Sequence, residues 1–409
     1  MRLAVLCALL LAGPLAAQDL TGHGGPVSAL AAAGSVVVSG GFDGRTILWN
    51  APGASALRIE RFHEGNVTAV ALTGDGGFVS AGQDGRIALW QAGAAAPLWA
   101  TPAEVAPVSA LAVGPGQVAA GFVDGRIARI DLATGTMQTQ PAHDGRVAGV
   151  AYLADGTLAS VGGDLRFARW DDTGRLLART GLPDLPNGLT PAGEALAIPF
   201  AEGALRLLSP QGQVLRERYL TETPLVAVAA GDGVVAAAAV DGAIWLLDLP
   251  TLTPRAELPG GAGPVWALAL TGETLFAAGA RGVIRRLSAQ DGAALGAATA
   301  ALSDPLDDGS RGAQVWRACA VCHSLDPGDH SRAGPSLHGL FGRRIASVAG
   351  YDFSPELRAM DIVWTPQTVA ELFEVGPEAY TPGSRMPDQR VGDPADRQAL
   401  IEYLVRFAP

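Results

Sequence analysis

A turn signal recurs through residues 20–302 at a period that leaves few folds open. It stands at Asp43-Gly44, Asp84-Gly85, Asp124-Gly125, Asp164-Leu165, Glu202-Gly203, Asp241-Gly242 and Arg281-Gly282. The first residues of successive pairs lie 38 to 41 positions apart. Strand-prone runs flank the turns, as in Val36 to Ser39 and Arg45 to Trp49. A unit of about 40 residues cannot bury its apolar face alone, so neighbours must stack. Seven such units predict an all-β, seven-bladed propeller over 20–301, four strands to a blade.

The units are of two kinds. The first, second and fourth each place a His, a Ser, an Asp and a Trp at matching positions: His23, Ser39, Asp43 and Trp49; His63, Ser80, Asp84 and Trp90; His143, Ser160, Asp164 and Trp170. With Gly22-His23 and Trp170-Asp171, these units resemble the WD-repeat family, which implies a buried hydrogen-bond network inside each such blade. In the other four units the Ser and Trp positions hold Ala120 and Ile130, Ile198 and Leu208, Ala237 and Leu247, and Ala277 and Leu287. A half-satisfied polar network is worse than an apolar interior, so each blade keeps the whole set or replaces it by packing. The three histidines are therefore expected to be structural, leaving the propeller no His cluster for catalysis.

Beyond the repeats, Cys319-Ala320-Val321-Cys322-His323 reads Cys-x-x-Cys-His, the attachment signature of a c-type haem. On a helical turn these residues stand at i, i+3 and i+4, so two thiols and an imidazole share one face. The thiols can add to two porphyrin vinyl groups while the imidazole reaches the iron. A zinc or redox Cys pair is the rival, but it calls for further ligands or a βαβ context that the sequence lacks.

Residues 311–409 around that motif resemble class I cytochromes c, the mitochondrial type included, which implies an all-α domain behind a linker at 302–310. The resemblance rests on Gly334-Pro335-Ser336-Leu337-His338-Gly339, Arg343, and Pro382-Gly383-Ser384-Arg385-Met386. It implies that Pro335 accepts the proximal His323 proton through its carbonyl and that Met386 is the second axial ligand. The metal ligands are thus His323 and Met386, with Met360 the rival thioether. Arg343 and Trp364, helped by Ser354, match residues bonded to a haem propionate. His338 matches a histidine bonded to a neighbouring loop, and His330 is unassigned. Gly312, Trp316, Leu400 and Tyr403 match a pair of crossed terminal helices. Asp388 stands where the family often has an aromatic residue, and Leu372 or Phe373 where a tyrosine is expected.

Residues 1–17 join Arg2 to an apolar run from Leu3 and end at Ala16-Ala17, as a secretory signal does, with cleavage expected after Ala17. Cleavage removes Cys7 and leaves Cys319 and Cys322 as the only thiols, so disulfides do not stabilise the exported chain. No later stretch gives about 18 consecutive apolar residues, so no membrane span is expected. All 29 basic residues are Arg and the formal charge is -11, which argues against nucleic acid. Export plus haem attachment outside the cytoplasm predicts a bacterial periplasm.

The expected function is single-electron transfer through one covalent haem c, with the propeller docking a redox partner protein. One alternative is an oxidoreductase whose propeller binds a substrate or second cofactor. A second is a scaffold whose haem senses redox state or a small ligand.

Overall fold

The computed structural model describes residues 17–91, 94–261, 263–297, 308–320, 322–329, 334–351, 353–384, 386 and 390–408. All of the expected signal segment but Ala17, most of the linker, His330, Arg385 and Asp388 lie outside them.

Seven four-stranded antiparallel sheets follow one another along the chain, each built by sequence neighbours except the last. The first blade runs Val27–Ala33, Val36–Gly41, Arg45–Asn50 and Ser55–Arg61. The seventh has only three consecutive strands, Val265–Thr271, Thr274–Gly279 and Val283–Ser288. Its fourth is Leu20–Thr21, pairing Leu20 with Ile284 and Thr21 with Val283. Beside it, Ala17–Gln18 runs parallel to Gly296–Ala297. The ring is thus closed by the start of the described chain laid against its last blade.

Burial follows position in the blade. Middle strands such as Phe78–Gly82 are buried throughout, whereas the outer strand Val214–Tyr219 is exposed along its length. Adjacent blades share apolar layers, as where Val38 and Leu48 of the first pack with Val67, Phe78 and Trp90 of the second. Polar side chains on the innermost strands tie blade to blade: Thr68 donates to the Val108 carbonyl at 2.7 Å, Ser109 to that of Val147 at 2.7 Å, and Asn187 to that of Leu225 at 2.8 Å.

The four-residue networks are present in the blades where the sequence places them. In the second blade Trp90 Nε1 donates to Ser80 Oγ at 2.9 Å, Ser80 meets His63 Nε2 at 2.9 Å, and His63 Nδ1 meets Asp84 at 3.1 Å. The first and fourth blades repeat the set at 2.7 to 3.0 Å. A neutral imidazole satisfies the chain, donating from Nδ1 and accepting at Nε2. Burial alone would raise the Asp43 pKa, but the His23 hydrogen bond, with those from the Gly24 and Arg45 N–H groups, holds it below its ordinary value. In the other blades Ala120, Ile130, Ile198, Leu208, Ala237 and Leu247 are wholly buried at the corresponding positions.

Ser80→Ala should therefore strand the Trp90 donor and the His63 acceptor in the interior, at a cost of about 1 to 3 kcal/mol. Denaturant unfolding at matched haem content measures it, and an unchanged midpoint would mean that the network contributes nothing.

Past the propeller the described regular elements are helices: α1 Arg311–Ala320, α2 Pro355–Ala359, α3 Pro366–Val375, α4 Pro377–Tyr380 and α5 Pro394–Phe407. Four begin with Pro at their first position, where its missing N–H costs nothing. Ser354, Thr365 and Asp393 cap α2, α3 and α5 through side-chain oxygens. Helices α1 and α5 cross where the sequence places the glycine. A Cβ on Gly312 would lie 2.4 Å from the Ala399 carbonyl oxygen and 2.7 Å from Tyr403 Cβ. Trp316 stacks on Tyr403 with centroids 6.1 Å apart, and Leu400 is fully buried. Among the described residues, no helix is long and apolar enough to cross a membrane.

Candidate haem site

Helix α1 ends one turn before its chemistry is complete. Cys319 lies within it, whereas Cys322 and His323 follow it, their N–H groups bonded to the Cys319 carbonyl at 3.0 and 2.9 Å. Those two bonds continue the helical turn and bring both thiols and the imidazole to one cavity. The cavity is only partly enclosed. Cys319, Cys322, His323, Pro335, Arg343, Ser354, Trp364 and Met386 all line it. The eight residues that the sequence nominates are thus brought together, from four separate stretches.

Its wall is mainly apolar, with Leu337, Leu340, Ile345, Val369, Leu372 and Phe373 closing the space between α1, α3 and the connecting loops. Such a wall suits a flat hydrophobic ring and excludes water from it.

His323 is held from both sides. Its Nδ1 donates to the Pro335 carbonyl at 2.8 Å, which fixes the tautomer and the orientation of the ring. Gly334 passes so close that a Cβ there would lie 2.3 Å from His323 Cε1 and 2.6 Å from Nδ1. The Gly334 N–H is itself fixed on the Cys322 carbonyl at 2.7 Å. This cradle escaped the sequence reading, although a Gly directly before Pro335 was its visible sign.

Met386 is half-buried on the cavity, its N–H bonded to Ser384 Oγ at 3.1 Å. Met360 follows α2 and is not part of the lining, so among the described methionines only Met386 offers sulfur to this space. Arg343 donates to the carbonyls of His338 at 2.8 Å and Ser336 at 3.1 Å. Burial pushes its pKa down. Among the described residues no carboxylate pairs with it, so the wall offers a half-buried cation to an anionic group. Trp364 lines the same wall, and its backbone N–H donates to the Arg343 carbonyl at 2.9 Å.

Two more residues that the resemblance singles out make local bonds. Ser354 donates its one proton to the Gly383 carbonyl at 2.9 Å and accepts from the Leu357 N–H, tying the Met386 loop to α2. His338 contributes its backbone, with its N–H on Ser336 Oγ at 3.2 Å and its carbonyl on Arg343.

The donor set fits a thioether-bound haem better than its rivals. Burial, with Cys322 alongside, pushes the Cys319 thiol up to about 12, whereas redox Cys pairs depend on a lowered value. Among the described residues no cluster of three or more His, Cys, Asp or Glu is arranged to hold a metal ion, as a zinc site would require.

Comparison with known proteins agrees with both halves of this picture. The family model "WD domain, G-beta repeat" matches residues 16–50 and 56–91. The crystal structure of the computationally designed Ika8 protein superimposes with a TM-score of 0.56 at 25% identity, covering 68% of this chain and 89% of that one. Cytochrome c of Cochliobolus lunatus is 40% identical over 98 residues, which are 24% of this chain and 90% of that protein. Cytochrome c of Arabidopsis thaliana is likewise 40% identical over 98 residues, 87% of its length. Cytochrome c2 of Blastochloris viridis is 36% identical over 100 residues, 78% of its length. The larger part of the chain is a seven-bladed propeller with WD repeats at residues 16–50 and 56–91, and through a quarter of its length the chain belongs to the cytochrome c family.

Proposed function

We propose that this protein is an exported, single-haem c-type cytochrome of class I that carries electrons one at a time between protein partners. Residues 311–409 are its all-α haem domain, 302–310 the tether, and 20–301 a scaffold that docks a partner. The signal segment 1–17 directs it to a bacterial periplasm. The observation that carries the reading is the meeting of Cys319, Cys322, His323, Pro335 and Met386 on one apolar cavity.

When bound, haem supplies reversible one-electron chemistry at its iron. The sulfurs of Cys319 and Cys322 hold the porphyrin covalently. His323 offers Nε2 as proximal ligand, its orientation fixed and its basicity raised by the bond to Pro335. Met386 would offer its sulfur as the second ligand to the iron, and a His/Met pair would raise the potential and suit electron transfer over oxygen chemistry. Arg343 and Trp364 stand at the wall where the propionates belong. The oxidoreductase reading is weaker because His23, His63 and His143 are all committed to Asp and Ser partners inside their blades.

Expression with c-type haem maturation tests the reading. The haem should resist extraction into acidified solvent, at one per chain, and the ferric spectrum should carry an iron–sulfur charge-transfer band that Met386→Ala removes. Extractable haem would overturn covalent attachment. A band that survives in the variant would overturn Met386, and its absence from the parent protein would favour the sensing scaffold.

A further inference from the structure

One part of the cavity wall comes from the propeller. Phe42, on the turn before Asp43-Gly44 in the first blade, lines the same space as Cys319, His323 and Met386. Its N–H is bonded to the Pro26 carbonyl at 2.8 Å, which fixes the turn. Its ring stacks on Trp266 of the seventh blade, with centroids 5.3 Å apart and planes within 10° of parallel. Trp266 in turn lines the propeller's axial channel. No strand of the propeller packs extensively against a helix among the described residues, so this contact stands out.

The propeller itself does not require two aromatics here. At the repeat position of Phe42 the other units carry Gln83, Val123, Gly163, Ala201, Val240 and Ala280, one residue before each turn. At the position of Trp266 they carry Ser28, Thr68, Ser109, Ala148, Asn187 and Val226. Four of those, Ser28, Thr68, Ser109 and Asn187, bond the next blade's backbone, as an ordinary inner-strand residue does. A role in building blades would recur around the ring. Large aromatics occur at these positions only in the two blades that meet at the ring's seam, where the haem cavity opens.

We propose that the Phe42–Trp266 pair is the propeller's seat for its own C-terminal part and closes the mouth of the haem cavity against water and small ligands. The occupant is the same chain, because Phe42 is already seated on the cavity. The proposal rests on the haem reading for what the closure protects, but not for the contact itself.

Two measurements on the full-length protein test it. In the haem-loaded ferric form carrying Met386→Ala, so that loss of the native thioether is not the slow step, imidazole binding should be faster with Phe42→Ala than without it. If the mouth is covered about nine-tenths of the time, the gain is roughly tenfold. Val123→Ala, the matching change in the third blade, should leave the rate unchanged. Equal rates in Phe42→Ala and Val123→Ala would overturn the closure. The second measurement places the photo-crosslinker p-benzoylphenylalanine at position 42 and needs no haem. Cross-links within one chain to residues that line the haem cavity are expected. Cross-links between two copies, or none to the C-terminal part, would overturn the seat. A protein without covalent haem that still cross-links as expected would overturn the haem reading and not the contact.

Discussion

Gly334→Ala should spoil the haem site while leaving every proposed ligand in the sequence. The added Cβ would lie 2.3 Å from Cε1, 2.6 Å from Nδ1 and 2.8 Å from Nε2 of His323, well inside contact distance of the whole ring. Neither side can yield easily, because the Gly334 N–H is bonded to the Cys322 carbonyl and the imidazole to that of Pro335. Overpacking of this kind costs about 1 to 3 kcal/mol. The softer partner is the ring, which must tilt or slide by roughly 1 Å to restore van der Waals contact, and it then loses its alignment with Pro335. Loss of such an orienting bond typically weakens a metal site by about 10 to 100-fold. Attachment through Cys319 and Cys322 should survive, since neither thiol touches the new methyl group. The expected result is a protein with covalent haem whose ferric spectrum shifts toward high spin at neutral pH, with earlier thermal unfolding of its C-terminal part. A low-spin spectrum indistinguishable from the parent would mean that His323 does not sit against Gly334 in the loaded protein.

Oxidation by an acidic cytochrome c acceptor should be slow at low ionic strength and should not slow further as salt is added. The chain has no Lys, and residues 305–409 carry 14 Asp or Glu against 10 Arg. An arginine patch built from Arg343, Arg344, Arg385 and Arg390 is the one local substitute for a lysine ring, and two of its members are already engaged. Arg343 turns inward to the carbonyls of Ser336 and His338. Arg344 lies 3.4 Å from the Asp361 carboxylate, at an exposed site. Steering by a complementary charged face raises association rates by about 10 to 1000-fold and is lost as salt screens it. The expected profile is flat or rising with ionic strength, measured as the second-order oxidation rate. A rate that starts high and falls steeply with salt would show that Arg344 and its neighbours do steer the partner.

What the sequence made legible depended on how local each signal was. The propeller was readable because a turn signal, an acid followed by Gly in five of its seven instances, recurs every 38 to 41 residues. The three internal networks were readable because a His, a Ser, an Asp and a Trp in fixed register do one thing together. The haem cavity was readable from motif chemistry, since Cys-x-x-Cys-His and a Pro-Gly turn before a methionine each carry a mechanism. Other features have no such mark. Ser354 is a plausible donor to a haem until its proton is found on Gly383, because a hydroxyl's partner is set by loops 29 residues apart. The pairing of Phe42 with Trp266 was invisible for a related reason. The two residues are far apart in sequence and become neighbours only because a ring brings its last blade beside its first.

That closure also fixes an order of events. The strand Leu20–Thr21 is made before the blades that follow it, yet its partner Val283–Ser288 belongs to the last of them. Until the later strand exists, Leu20, wholly buried in the finished ring, has nowhere to go. Contacts of such long sequence separation form slowly, because the chain between them must be ordered first. The C-terminal part follows the seventh blade, so Cys319 and Cys322 emerge just as the ring becomes able to shut. A chain that loses its first few residues after Ala17 would have every haem residue intact and a seventh blade one strand short.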